Sequence, residues 1–255
     1  MTQTQYHILI IATALLFVFM IVMNVLANLL PINGETTGGV SFMYPNLFQP
    51  SGSTFSIWGI LYLFLGGIVI YFFTKWNTPI NELSSNVSLL LYLFGLSSLL
   101  NVVWLLLWHH HQIVLSTIVI IFLLLTLLLV SHYAKDAHWL LRTGFSMYAG
   151  WITIATIANI TIALVSKGIP SFDQKAIIST IVILVIGAAI GILYTLLQKD
   201  FVFGLVFIWA YVGILIRHIN QESLSRSYLG IIITSSISIF FLISSVIIVL
   251  LQLKK

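Results

Sequence analysis

Cysteine is absent from this chain of 255 residues. That excludes disulfides, thiolate catalysis and Cys-ligated metals. Charge is nearly absent as well. Asp, Glu, Lys and Arg make up 6% of residues and hydrophobic side chains 60%, whereas a soluble domain is about 25% charged. With a mean hydropathy of +1.13, a soluble globular protein is excluded. The net charge of +4 comes from 10 Lys and Arg, scattered singly except for Lys254-Lys255. No basic patch for nucleic acid results. No Asp, Glu, Lys or Arg stands near the middle of an apolar run. This argues against a proton-coupled pump, and against a retinal protein, whose Schiff base needs a buried lysine. Met1 to His7 carries no Lys or Arg and no small-residue cleavage site follows, so the first apolar stretch reads as a retained span. No Ser-His-Asp set, carboxylate pair, phosphate loop or dinucleotide fingerprint is apparent. No catalytic residue, metal ligand or required cofactor is assigned, and the chain is not expected to be an enzyme.

What the chain does contain is long apolar runs. A spanning helix needs ~20 mostly apolar residues, and about eight stretches qualify. They are Ile8–Leu30, Thr54–Thr74, Val87–Trp108, Ile113–Ser131, Phe145–Ser166, Ala176–Leu197, Phe201–Ile219 and Tyr228–Leu253. The expected fold is an all-α integral membrane protein, with Gln198-Lys199-Asp200 as a tight connection between two spans. With the N-terminus inside, Lys75, Lys135, Arg142, Lys199, Lys254 and Lys255 fall on the cytoplasmic side and Lys167, Lys175, Arg217 and Arg226 outside. The bias of the front loops favours this orientation. An even number of crossings then returns the C-terminus to the same side.

Three spans place a tryptophan at helical spacing from a small or polar partner. Trp58 and Tyr62 are four apart, Asn101 and Trp104 three apart, and Trp151, Ala155 and Asn159 form one stripe. An amide in hydrocarbon needs a hydrogen-bond partner and should face other helices. Singly, each pair reads as helix glue; together they suggest a flat, aromatic, lightly polar cavity. The long loop from Pro31 to Ser53 holds Gly and Pro, which rule out a regular helix through it. It also holds Phe42, Tyr44, Leu47, Phe48 and Pro50. Such groups suit either a lid over the bundle or an interfacial loop at headgroup level. His109-His110-His111 reads as a wet interhelical turn rather than a metal site. Gly187-Ala188-Ala189-Ile190-Gly191 is a small-residue contact surface that could equally seat a helix of this chain or of a second copy, as in a homodimer.

At these residues the chain resembles the tryptophan-rich sensory protein family, the TspO/MBR or translocator-protein group. The resemblance covers roughly Ile8 to Ser166. It rests on Pro50 with Trp58 and Tyr62, on Asn101 with Trp104, and on Trp151 with Ala155 and Asn159, in order and in successive spans. The chain departs from the family where Ser51 follows Pro50, where Gly52 stands at the loop tryptophan, and where Phe55 lies three residues before Trp58. The resemblance implies residues 1–166 as a five-helix core with a lid-like loop 31–53, followed by three further helices over 167–255, as in a longer bacterial branch in the cell membrane. It further implies a receptor or sensor for a tetrapyrrole, a porphyrin or haem-type ligand. The ligand would be held by Phe55, Trp58, Tyr62, Asn101, Trp104, Trp151, Ala155 and Asn159 under Phe42, Tyr44, Phe48 and Pro50. The partners implied are membrane lipid and this hydrophobic ligand. Transport or export of a hydrophobic small molecule is the alternative, and light-driven tetrapyrrole chemistry a third.

Overall fold

The structure is a computed structural model describing residues 2–30, 32–83, 85–220, 224 and 227–254. Pro31, Arg226 and Lys255, which carry part of the loop and charge expectations, lie outside the described residues. Among those residues the chain is all-helical. The helices are α1 (Gln3–Leu29), α2 (Thr37–Phe42), α3 (Ile57–Thr74), α4 (Val87–His109), α5 (Ile113–Ala134), α6 (Trp139–Ser166), α7 (Gln174–Gln198), α8 (Phe201–Asn220) and α9 (Leu229–Leu253). Short 3-10 turns lie at Ile32–Gly34, Gly52–Ser56 and Ile80–Glu82. Among the described residues eight helices are long and apolar enough to cross a membrane. Their outward side chains, such as Ile8, Leu63, Ile70 and Phe240, are large, apolar and exposed, as a lipid-facing surface requires.

The principal differences from the sequence expectation have local causes. α6 begins at Trp139 and not near Phe145. Arg142 interrupts the apolar run but stands in the first turn, where a long cationic side chain can reach the aqueous edge. Inside the Gly- and Pro-rich loop the chain still forms one short helix, α2. Arg217 is no loop cation: it stands in the last turn of α8 and is buried. The tight α7–α8 connection is confirmed. Lys199 caps α7 in the left-handed conformation at φ 50°, and Asp200 Oδ1 accepts from Val202 N at 3.2 Å and Phe203 N at 3.3 Å to start α8.

The chain divides into two compact units. The first comprises residues 1–40 and 57–149, the second residues 41–56 and 150–255. The continuous helix α6 supplies Trp139–Ala149 to the first and Gly150–Ser166 to the second.

In the first unit α1 packs on α3 and α4, and α4 on α5. Thr13 Oγ1 ties α1 to α4 by donating to the Leu91 carbonyl at 3.1 Å. α6 approaches α3 closely at Gly144, where an added Cβ would lie 2.7 Å from Ile68 Cδ1. The first turns of α1 are fastened to the α3–α4 loop. Gln3 Nε2 donates to the Trp76 carbonyl at 2.9 Å, and the His7 ring stacks on Trp76 at 3.9 Å.

In the second unit α7, α8 and α9 pack pairwise. The small-residue surface of α7 meets a helix of the same chain. A Cβ on Gly187 would lie 2.6 Å from Tyr211 Oη, and one on Gly191 2.5 Å from Phe207 Cδ1. Tyr194, Phe203, Phe207 and Tyr211 form a stacked ladder with centroid separations of 4.0, 5.1 and 6.4 Å. Tyr211 Oη closes it by donating to the Leu184 carbonyl at 2.6 Å.

Candidate functional site

In the first unit, α3 carries Trp58 and Tyr62 one turn apart and therefore on one face. Their rings lie 5.4 Å apart, tilted by 30°, and both are half-buried. Trp58 meets Tyr148 of α6 edge-on at 6.3 Å and 69°. Tyr148 is fully buried, faces the side-chain amide of Asn101, and donates to Met20 Sδ at 3.7 Å. Asn101 of α4, also fully buried, accepts from Asn24 Nδ2 of α1 at 2.8 Å. Asn24 Nδ2 also donates to the Met20 carbonyl, at 2.9 Å. The result is a run of rings ending in an amide. Asn101 Nδ2 makes no hydrogen bond of regular geometry among the described residues. The amide faces the Tyr148 hydroxyl and can exchange that contact for one to a ligand.

Trp104 takes a different neighbour. It is buried and stacks on Trp108 at 5.9 Å and 27°. Trp108 Nε1 in turn donates to the Thr37 carbonyl at 3.1 Å. His109, expected in a wet turn, is fully buried at the end of α4, whereas His110 is exposed and His111 half-exposed. His109 Nδ1 faces the Leu105 carbonyl at 2.8 Å, so that nitrogen carries the proton. The second unit repeats the arrangement at the end of α8, where His218 Nδ1 faces the Ile214 carbonyl at 3.0 Å. Neither Nε2 has a hydrogen-bond partner among the described residues.

The second unit holds Phe55, Trp151, Ala155, Asn159 and the loop aromatics. Phe55 meets Trp151 edge-on at 6.1 Å and 87°. Trp151 and Asn159 are buried; Ala155 is half-buried. Along the loop, Phe42 is exposed and Tyr44 half-buried, while Leu47, Phe48, Gln49 and Pro50 are buried. The loop is strapped to α8. Arg217 Nη1 donates to the carbonyls of Asn46 at 2.7 Å and Gln49 at 3.0 Å. Ser51 N donates to the Gly213 carbonyl at 3.0 Å, and Trp209 Nε1 to the Thr54 carbonyl at 2.9 Å. Thr54 lies so close over Gly213 that no Cβ would fit there. Within the strap, Asn46 Oδ1 accepts from Phe48 N at 3.1 Å, and Gln49 Nε2 donates to the Ser41 carbonyl.

Sequence reasoning missed Tyr148, Met20 and Arg217. Tyr148 stood inside a predicted span, where a tyrosine hydroxyl needs a partner. Arg217 stood beside an apolar run, where a cation either snorkels or bonds backbone carbonyls. Met20 gave no signal. Among the described residues no group of three His, Asp or Glu side chains is disposed to hold a metal ion.

Rings and amides brought together inside bundles of apolar helices define a class: a polytopic helical membrane protein with aromatic interior clusters. More narrowly, the chain belongs to the TSPO-like protein family, whose profile matches residues 10–253 and so takes in α7, α8 and α9. No curated protein and no solved structure matches it. With its eight apolar helices it is an integral membrane protein.

Proposed function

We infer that the protein is a membrane receptor or sensor for a flat hydrophobic ligand of the tetrapyrrole class, porphyrin or haem-related. The observation that carries this reading is the Trp58–Tyr62–Tyr148 ring cluster running to the Asn101 amide. Such rings stack on a planar π-system with about 0.5–1.5 kcal/mol per aromatic pair beyond the area buried. An amide donor in an apolar wall meets an oxygen or ring nitrogen at the ligand's edge. Family membership supports a sensing or binding role; the tetrapyrrole preference follows from the resemblance of the motifs. In this reading Trp58 and Tyr62 stack on the ligand, Asn101 bonds it and Trp104 backs the wall. In the second unit, taken by itself, Phe55, Trp151, Ala155 and Asn159 form a further ligand-contact set, with Phe42, Tyr44, Phe48 and Pro50 as its cover. Residues 1–166 serve as a five-helix core and 167–255 as three further helices, both within the family match. The protein sits in a bacterial cell membrane with both termini cytoplasmic, needs no resident cofactor, engages lipid and its ligand but no nucleic acid, and can form a homodimer. Export of a hydrophobic small molecule is the second reading, favoured by the helices beyond the five-helix core.

Titration of the purified protein with protoporphyrin, haem and a sterol, read by tryptophan fluorescence, tests the proposal. Micromolar quenching by the tetrapyrroles alone, weakened by Trp58→Leu and Asn101→Leu, is the expected result. Equal titration curves for wild type and variants would sink it. Accumulation of the ligand in sealed vesicles would move the reading to transport.

A further inference from the structure

The first unit holds a cavity that shares no residue with the ring cluster. It lies where α1 starts, α3 and α5 end, and α4 and α6 begin, and has a volume of about 460 Å³. That is within the ~300–1,000 Å³ of small-molecule sites. Phe72, Leu90 and Leu141, all buried, give it an apolar floor. Lys75, one residue past α3, and Lys135, one past α5, give it a cationic rim. His138 stacks on Tyr71 at 4.7 Å, and Lys75 Nζ sits 5.8 Å from the centroid of the same ring. One carboxylate, Asp136, also lines the cavity.

Lysine at a helix C-terminus has an ordinary explanation in the carbonyl dipole, and lysine at the edge of a span in the membrane interface. Neither explains the volume between the two lysines. Neither explains Tyr6, a wall residue with 0% exposure whose hydroxyl has no hydrogen-bond partner among the described residues. An apolar floor under a two-lysine rim suits an amphipathic anion. At the ends of membrane-spanning helices the anion a bilayer chiefly presents is the lipid phosphate.

We propose that this cavity binds a phosphate ester that has an apolar portion and a net negative charge. The apolar part rests on Phe72, Leu90 and Leu141, and the phosphate lies between Lys75 and Lys135. The source of that phosphate is an anionic lipid headgroup or a soluble organic phosphate.

The test uses the full chain in maltoside micelles, titrated by thermophoresis with dihexanoyl phosphatidylglycerol, dihexanoyl phosphatidylcholine and inorganic phosphate. The phosphatidylglycerol should bind at least about tenfold more tightly than the phosphatidylcholine, the scale of two lysines near an anionic headgroup. Lys75→Gln with Lys135→Gln should abolish that preference, whereas Lys167→Gln with Lys254→Gln should leave it. Ala137→Phe, which keeps both lysines and fills the cavity, should also weaken binding and serves if the double variant fails to fold. Inorganic phosphate that displaces the lipid at comparable concentration assigns a soluble occupant; inert phosphate assigns the headgroup. Both outcomes support a phosphate site. Equal binding of the two lipids by wild type, or a preference that survives both the double lysine variant and Ala137→Phe, overturns it.

Discussion

Arg217→Met should loosen the strap over residues 46–51 without unfolding the bundle. Methionine keeps the apolar stem and removes the donors. Arg217 Nη1 serves two carbonyls, Asn46 at 2.7 Å and Gln49 at 3.0 Å, and all three residues are buried. A hydrogen bond to a charged group contributes ~1.5–3 kcal/mol, and a buried carbonyl left bare costs ~1–3 kcal/mol. Against this, the variant no longer desolvates a guanidinium, a relief of several kcal/mol. The opposing terms leave a net loss of about 1–3 kcal/mol confined to the strap. At 1.4 kcal/mol per factor of ten, local opening rises roughly 5- to 150-fold. Two amides report it: Phe48 N, bonded to Asn46 Oδ1, and Ser51 N, bonded to the Gly213 carbonyl. Hydrogen exchange by mass spectrometry should accelerate in the peptides holding these amides. Thr54 should change less, because the Trp209 indole still holds its carbonyl. Peptides from α1 and α4 should not change at all. Unchanged exchange at Phe48 and Ser51, or a uniform acceleration over the whole chain, would refute the strap as argued.

Asn24→Leu removes the side-chain hydrogen bond from Asn24 to Asn101 between α1 and α4. It should cost ~0.6 kcal/mol and at most about 1.7, seen as a small fall in the melting temperature in micelles. Gly191→Leu forces a side chain into the space of Phe207 and should cost about 1–3 kcal/mol or more. A melting temperature equal to wild type would mean that Gly191 faces lipid. Phe48→Ser empties a position only 1% exposed and, like other Phe truncations, should cost ~3–5 kcal/mol; protease cleavage should then appear between residues 41 and 56 before any helix is cut. Asn159→Leu should weaken tetrapyrrole quenching by more than it lowers the melting temperature; the reverse order would assign Asn159 to helix packing.

The helical skeleton was legible because each span is an apolar run bounded by loop residues, and the α7–α8 turn because Lys199-Asp200 breaks one. Positions inside the spans were legible where one helix supplies both partners, as Trp58 and Tyr62 do. What local periodicity could not carry was the partner on another element. Trp58 meets Tyr148 of α6, and Asn101 meets Asn24 of α1, which no spacing within α3 or α4 could indicate. The apolar loop residues signalled burial without naming the cover. Their anchor is Arg217, a charge whose place next to an apolar run made it look like a loop residue. His109 misled in the same direction: three successive histidines read as wet, yet the first turns inward because its Nδ1–H reaches the Leu105 carbonyl.

The strap has a consequence for how the protein is made. Arg217 lies 171 residues after Asn46, and Trp209 lies 155 after Thr54. At a synthesis rate of ~5–20 residues per second, about 10–30 s separate the emergence of this segment from that of its anchors. For that interval Leu47 and Phe48 belong to a nascent chain whose anchors on α8 do not yet exist. Contacts of such long sequence separation form late. The segment between the first two spans is therefore among the last parts of the protein to mature, although it is among the first to be translated. A ribosome stalled before α8 would hold a chain with most of its spans complete and this stretch still accessible to chaperones and proteases.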